Sequence, residues 1–278
     1  MMRTSALFLF VVFATGLFQQ PDPVNPDPES PRPIAAEDTV FLEAMTWMEI
    51  RDAIRQGKDT VLVATGGVEQ NGPYLVTGKH NYVLRGTTEA IARQMGNALV
   101  APIVPFVPEG NIDPPTEHMK YPGTISVTEE TYQSLLTDIC QSLRIHGFQR
   151  IVLLGDSGGN QTGLKVVSDK LTGQWKERNV ATQIRYVPEY YDYAVLGDWL
   201  EEQGLHQEPE GYHDDFAMTA MMLTVDPLSV RMKQRIAAGN FRINGVELAP
   251  VEQTLQWGRR IVDYRARKTV KAIATAFE

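Results

Sequence analysis

Short apolar runs and longer amphipathic stretches take turns along this chain, and their order predicts a fold. Thr60 to Ala64 is a continuous apolar run of strand length that ends at Gly66-Gly67. Runs of this kind, bounded by turn residues, read as strands buried on both faces. Ala98 to Phe106 is a second run, which Pro102 and Pro105 push towards a sheet edge or shorten. Arg150 to Leu154 and Thr182 to Val187 are the third and fourth. Helical periodicity fills the intervals. Tyr82 to Met95 carries Val83, Leu84, Ala90, Ile91 and Met95 as an apolar face and stops at Gly96. Thr128 to His146 carries Leu135, Leu136, Ile139 and Leu143 and stops at Gly147, and Gln161 to Glu177 follows the third run. Ahead of them all, Thr46 caps a helix that Gly57 closes after Gln56. Strand and helix alternate from Thr60 onwards. That order predicts an α/β fold, a mostly parallel sheet with helices on both faces.

The two ends of the chain read differently. Arg3 followed by an apolar run from Ala6 to Ala14 has the form of a secretory signal peptide, assigned to residues 1–18. It predicts export to the periplasm or the extracellular space. Residues 19–38 hold prolines 21, 23, 26, 28, 31 and 33 and read as a tether, which leaves 39–278 as the folded domain. Towards the C-terminus, Gly211 to Leu223 reads as a polar loop entering an apolar helix. Glu252 to Phe277 has the periodicity of one long helix or two shorter ones. Its basic cluster, Arg259, Arg260, Arg265, Arg267 and Lys268, reads as a solvated face balancing an acidic body. Tyr190, Tyr191, Tyr193 and Trp199 suit a pocket lining or an oligomer contact.

Charge and cysteine usage narrow the function. The 278 residues carry 26 Lys and Arg against 34 Asp and Glu, a net charge of -8, which argues against nucleic-acid binding and leaves a small-molecule partner. No further segment reads as membrane-spanning once the signal is cleaved. Cys140 is the only cysteine, so neither a disulfide framework nor a thiolate metal site can be built, and its apolar helical setting makes it a core residue.

Polar residues gather just past the strand ends, where open α/β sheets leave their ligand crevice. Glu69, Gln70, Asn71 and His80 follow the first strand. A long loop, Pro108 to Gly123, holds Glu109, Asp113, Glu117 and His118. Asp156 and Ser157 follow the third strand, and His213, Asp214 and Asp215 precede the apolar helix. Carboxylates and imidazoles together suit one divalent ion, zinc or manganese, with Glu69, His80, Asp156 and Asp215 as candidate ligands. Such an ion lowers the pKa of its water and polarises a carbonyl, which points to hydrolysis. His80, His118 and His213 are candidate catalytic residues on that route. A route without metal uses Ser157, since Gly155-Asp156-Ser157-Gly158-Gly159 satisfies Gly-x-Ser-x-Gly. His213 is the last histidine, so the usual order of that triad needs an acid ahead of it, such as Asp192 or Asp198.

Four blocks in order resemble the creatininase family of metal-dependent amidohydrolases, from about Thr46 to the last helix. They are Gly67 to Pro73 with Gly78-Lys79-His80; Glu117-His118 with Tyr121 to Thr124; His146-Gly147-Phe148 leading to Gly155 through Asn160; and His213 with Thr219 to Leu223. The resemblance implies an α/β/α sandwich, a homo-oligomer, and hydrolysis of a carbonyl–nitrogen bond in a small amide, cyclic amide or related lactone. The family's metal positions are altered here. Glu69 is kept, Asn71 and Ser157 stand where the pattern has ligand histidines, His80 stands for an aspartate, and Met218 for a glutamate. The resemblance therefore implies one of three outcomes: a rebuilt, single-metal site around Glu69 and His80, a metal-free hydrolase using Ser157 or a water activated by His80, or a non-catalytic binding protein on the same fold.

Overall fold

Thr60–Thr65 (β1) is buried at every position, and its side chains alternate between two cores. Val61 and Val63 face one core; Leu62 and Ala64 face the other. This is the period-2 alternation of a strand covered on both sides. The computed structural model describes residues 24–210 and 213–278, in two units that divide at residue 35. The signal-peptide expectation at 1–18 and the first residues of the tether lie outside the described residues. Residues 24–35 carry turns and bends and no helix or strand.

In the larger unit, β1 is flanked by the short strand Ala98–Val100 (β2) and by Arg150–Gly155 (β3), which pairs with Gln183–Tyr186 (β4). All three pairings are parallel and the order is β2-β1-β3-β4, with Val61 opposite Leu99 on one side and Ile151 on the other. The second run is cut to three residues at the sheet edge, as its prolines dictate, and only Val104 returns to bridge Thr65.

Helices cover both faces. On one side, Glu129–Ile145 (α3) and Gln161–Glu177 (α4) bring Tyr132, Leu136, Cys140, Leu164, Val167 and Leu171 against the sheet. The amino-terminal helix Trp47–Arg55 (α1) opens with a capping box between Thr46 and Glu49. On the other side lie Lys79–Met95 (α2) and Val251–Ala276 (α8), which contribute Leu84, Ile91, Ala266 and Ile273. The C-terminal periodicity is thus one helix of 26 residues.

Of a second layer the sequence predicts only the apolar helix that follows the polar loop after Gly211. Tyr193–Glu202 (α5), Phe216–Val225 (α6), the short Met232–Ala237 (α7) and a hairpin of Arg242–Ile243 (β5) with Val246–Glu247 (β6) build a third core outside α2 and α8. Helix α6 is buried from Phe216 through Leu223 because it is packed between α2 and α8. Gly258 of α8 lets that approach happen, since a Cβ there would overlap the Ala220 carbonyl.

Candidate active site

The site forms where the carboxyl ends of β1 and β3 meet the start of α2. Asn160 ties the two strand ends together: its Nδ2 donates to the Thr65 carbonyl at 2.8 Å and the Gly66 carbonyl at 2.9 Å. Asn81 clamps the next residue, donating to the Gly67 carbonyl at 2.9 Å and accepting from the Gly67 N–H at 3.2 Å. Neither glycine tolerates a side chain. A Cβ on Gly66 would overlap Asn81, and one on Gly67 would overlap Glu109. Asn71 then folds the loop back, donating to the Glu69 carbonyl at 2.9 Å and the Val76 carbonyl at 3.0 Å. These amides fix the direction in which Glu69 leaves the strand.

Helix α2 begins three residues earlier than its apolar face suggests, so His80 lies in its first turn and not in a loop. The polar Lys79-His80-Asn81 start conceals that turn because all three side chains serve the site.

Glu69 is the hub. Its Oε1 lies 2.8 Å from His80 Nε2, 2.7 Å from His213 Nε2 and 3.4 Å from Lys79 Nζ; its Oε2 lies 3.3 Å from His118 Nε2. Burial would raise the Glu69 pKa, but the hydrogen bonds from His213 and His80 and the charges of His80 and Lys79 outweigh it and hold the carboxyl well below its usual range. The opposite nitrogen of His80, Nδ1, lies 2.8 Å from Asp156 Oδ2. Burial would depress His80, yet hydrogen bonds to Asp156 and Glu69 raise it. Asp156 is itself fully buried, and Arg265, His80 and Tyr193 overcome its desolvation and keep it ionised.

The candidate residues thus divide. Glu69, His80, His118 and His213 converge, with the His118 and His213 rings 4.4 Å apart. Asp156 meets the group only through His80: its Oδ2 takes the His80 ring and its Oδ1 takes Tyr193 at 2.7 Å and Arg265 at 2.9 Å. Both of its oxygens are engaged on the far side of the imidazole. Asp215 lies apart from Glu69, His80 and His213 as well. Its carboxylate caps α6, accepting from the Met218 N–H at 2.6 Å, and it stands outside the cluster. Ser157 follows β3 near the group, but the polar atoms engaged around it are backbone: its carbonyl accepts from Gln161 at 2.6 Å. Among the described residues, the hydrogen bonds of the His80 and His213 rings go to carboxylates and none to the Ser157 hydroxyl.

Three further residues belong here. Lys79 is buried. Glu109, held by its N–H to Ser126 Oγ at 2.9 Å, lies against Glu69, and burial followed by the Glu69 charge pushes it up to about 9. Arg265 corrects the solvated-face expectation: Arg259, Arg260, Arg267 and Lys268 are exposed, but Arg265 is buried and reaches Asp156, Tyr193 and the Tyr190 carbonyl. The sequence did hold a signal for it. Ile261, Arg265, Thr269 and Ile273 recur every four residues, and all four are buried on one face of α8.

The donor atoms of Glu69, His80 and His213 all lie within 4.8 Å of one another. One carboxylate and two imidazoles form a donor set for zinc or manganese, and a carboxylate on the remote nitrogen of a ligand histidine, as Asp156 is on His80, fixes its ring and tautomer. The residues fit one divalent ion. Among the described residues no second group of three His, Cys, Asp or Glu side chains converges in this way; the Asn71 amide nitrogen is spent on two carbonyls and its oxygen has no partner there.

Comparison with known proteins gives the family and the fold. The sequence model of the family described as "Creatininase: Creatinine amidohydrolase" matches residues 43–273. The 3-dehydro-scyllo-inosose hydrolase of Thermotoga maritima is 26% identical over 119 residues, which are 43% of this chain and 36% of that protein. The match therefore spans about a third of that relative's length. Among solved structures, a mutant creatininase described as Zn-Zn type aligns with a TM-score of 0.68 at 19% identity, covering 87% of this chain and 99% of the other. A structure described as creatininase Mn gives 0.65 at 19% identity over 86% and 99%. The shared fold is the α/β/α arrangement with a parallel sheet, as the strand–helix alternation predicts.

Proposed function

The chain belongs to the creatininase family, and from that premise we propose that it is a hydrolase of a small amide, cyclic amide or related lactone, working at a single-ion site on Glu69, His80 and His213. The observation that carries the reading is the convergence of those three side chains on one point past the end of β1. A divalent ion there would polarise the scissile carbonyl and supply a nucleophilic water near neutral pH.

The chain's own residues do the rest. Asp156 holds His80 Nδ1 and so aims Nε2 at Glu69. His118 is half-buried, burial lowers its pKa, and its Nδ1 has no partner among the described residues, so it is a neutral base able to take a proton at Nδ1. Glu109, pushed up to about 9, carries a proton at neutral pH and has an unpaired Oε1, which suits a general acid for a departing nitrogen or oxygen. A cavity of about 500 Å³, lined by Pro73, Tyr74, Asp214, Arg235, Asn240 and Ile243, adjoins the loops that carry Asn71 and His213. Its size suits a small molecule. The names of the relatives, a creatinine amidohydrolase family and an inosose hydrolase, support a small cyclic substrate.

Hydrolysis of a panel of cyclic amides and lactones by protein loaded with Zn²⁺ or Mn²⁺ tests the proposal. Turnover that falls at least about 100-fold in Glu69→Gln is expected, the scale of losing one group that acts on transition-state charge. Absence of turnover across the panel, or turnover kept in that variant, would contradict it.

A further inference from the structure

Lys79 is the one group at the centre of the cluster that neither the ligand set nor the acid–base pair explains. It is the first residue of α2, its side chain is 4% exposed, and its Nζ reaches the His213 carbonyl at 3.0 Å and Glu69 Oε1 at 3.4 Å. A lysine buried this deeply is uncommon without a partner, and here both partners belong to the site. The oxygen it approaches is the same one that His80 and His213 address. Its charge acts on Glu69, His80, Glu109, His118, Asp214 and Asp215.

The local charges complete the case. The buried acidic side chains at the cluster are Glu69, which Lys79 faces, Glu109, which lies against Glu69, and Asp156, which Arg265 pairs at 2.9 Å. Asp214 is likewise paired with Arg235 at 3.1 Å. The one carboxylate of the Glu69, His80 and His213 set therefore already has a cation beside it.

We infer that the Lys79 ammonium is a resident cation of this site, holding Glu69 Oε1 and weakening the site's hold on its divalent ion. This rests on the single-ion reading proposed above.

Zn²⁺ titration in a chelating buffer at fixed pH, on wild type, Lys79→Met and Lys79→Arg, tests the inference without any substrate. Lys79→Met removes the charge at similar volume, and Lys79→Gln is the second neutral variant should Met prevent folding. Wild type and Lys79→Arg are expected to bind one equivalent with similar affinity. The neutral variants are expected to bind one equivalent on the order of tenfold more tightly, because the Coulomb repulsion between ammonium and ion is gone. A lysine with a merely structural role would give the reverse, weaker binding as the site loosens. Affinity unchanged or weaker in the neutral variants, two equivalents on wild type, or no binding to any form would overturn the inference. A lack of turnover on the substrate panel would strike the hydrolase proposal alone.

Discussion

Arg265 and Asp156 meet at 2.9 Å in the interior although 109 residues separate them. The contact ties the last helix to the end of β3, and through Asp156 it reaches the ring of His80. Tyr193 bridges the pair, donating to Asp156 Oδ1 at 2.7 Å and accepting from Arg265 at 3.0 Å. Every charge in this chain of contacts is satisfied by a named partner, which is what allows the group to be buried.

Arg265→Met leaves the Asp156 carboxylate buried with His80 and Tyr193 but without its guanidinium. Unfolding by urea should show a loss of about 3–5 kcal/mol, the cost of breaking a buried ion pair from one side. Adding Asp156→Asn to that variant should recover part of the loss. A loss below about 1 kcal/mol for Arg265→Met would place the pair among surface-like contacts.

Glu109 sets a pH dependence of opposite sign to that of the carboxylates Glu69 and Asp156. In metal-free protein its folded pKa of about 9 lies far above the ordinary carboxyl value, so between the two the folded state holds a proton that the unfolded state has lost. Stability therefore falls as pH rises through that window. His80, also raised, adds to the fall above its ordinary value. Glu69 and Asp156 are depressed, so their contribution is present above their unfolded values and disappears only in acid. Glu109→Gln should flatten the decline in melting temperature between about pH 5 and pH 9. A variant with the wild-type slope would show that Glu109 ionises freely.

Ser157 should be inert towards serine-directed reagents. The His80 ring is occupied by Asp156 and Glu69, and His213 Nε2 by Glu69, and among the described residues no histidine hydrogen-bonds the Ser157 hydroxyl. Intact-mass measurement after exposure to a fluorophosphonate should show the unmodified chain. An adduct mapped to Ser157 would bring the serine route forward.

The sheet and its flanking helices were legible because their periods are unmixed: β1 is buried throughout, and α3 and α4 each carry one apolar face. Most of the outer layer was not, for a physical reason. Helix α6 shows as an apolar helix after a polar loop, but it is buried all round and has no polar face to say how it packs, while α5 is short and α7 shorter. At the site, Glu69, His80 and His213 could be read as chemistry-bearing types past strand ends. Their meeting could not be read, because Glu69 and His213 are 144 residues apart and join only when α6 is placed. Lys79 and Arg265 were hidden by being charged, since composition assigns such residues to solvent unless the stripe on which they fall is checked.

The central claim is that one divalent ion is held by Glu69, His80 and His213. Anomalous diffraction from crystals grown with Zn²⁺ or Mn²⁺ tests it most directly. A single strong peak bounded by those three side chains is expected, with Asp156 on the far nitrogen of His80. Two peaks at the site, or a peak that leaves His213 or Glu69 outside its coordination shell, would contradict it.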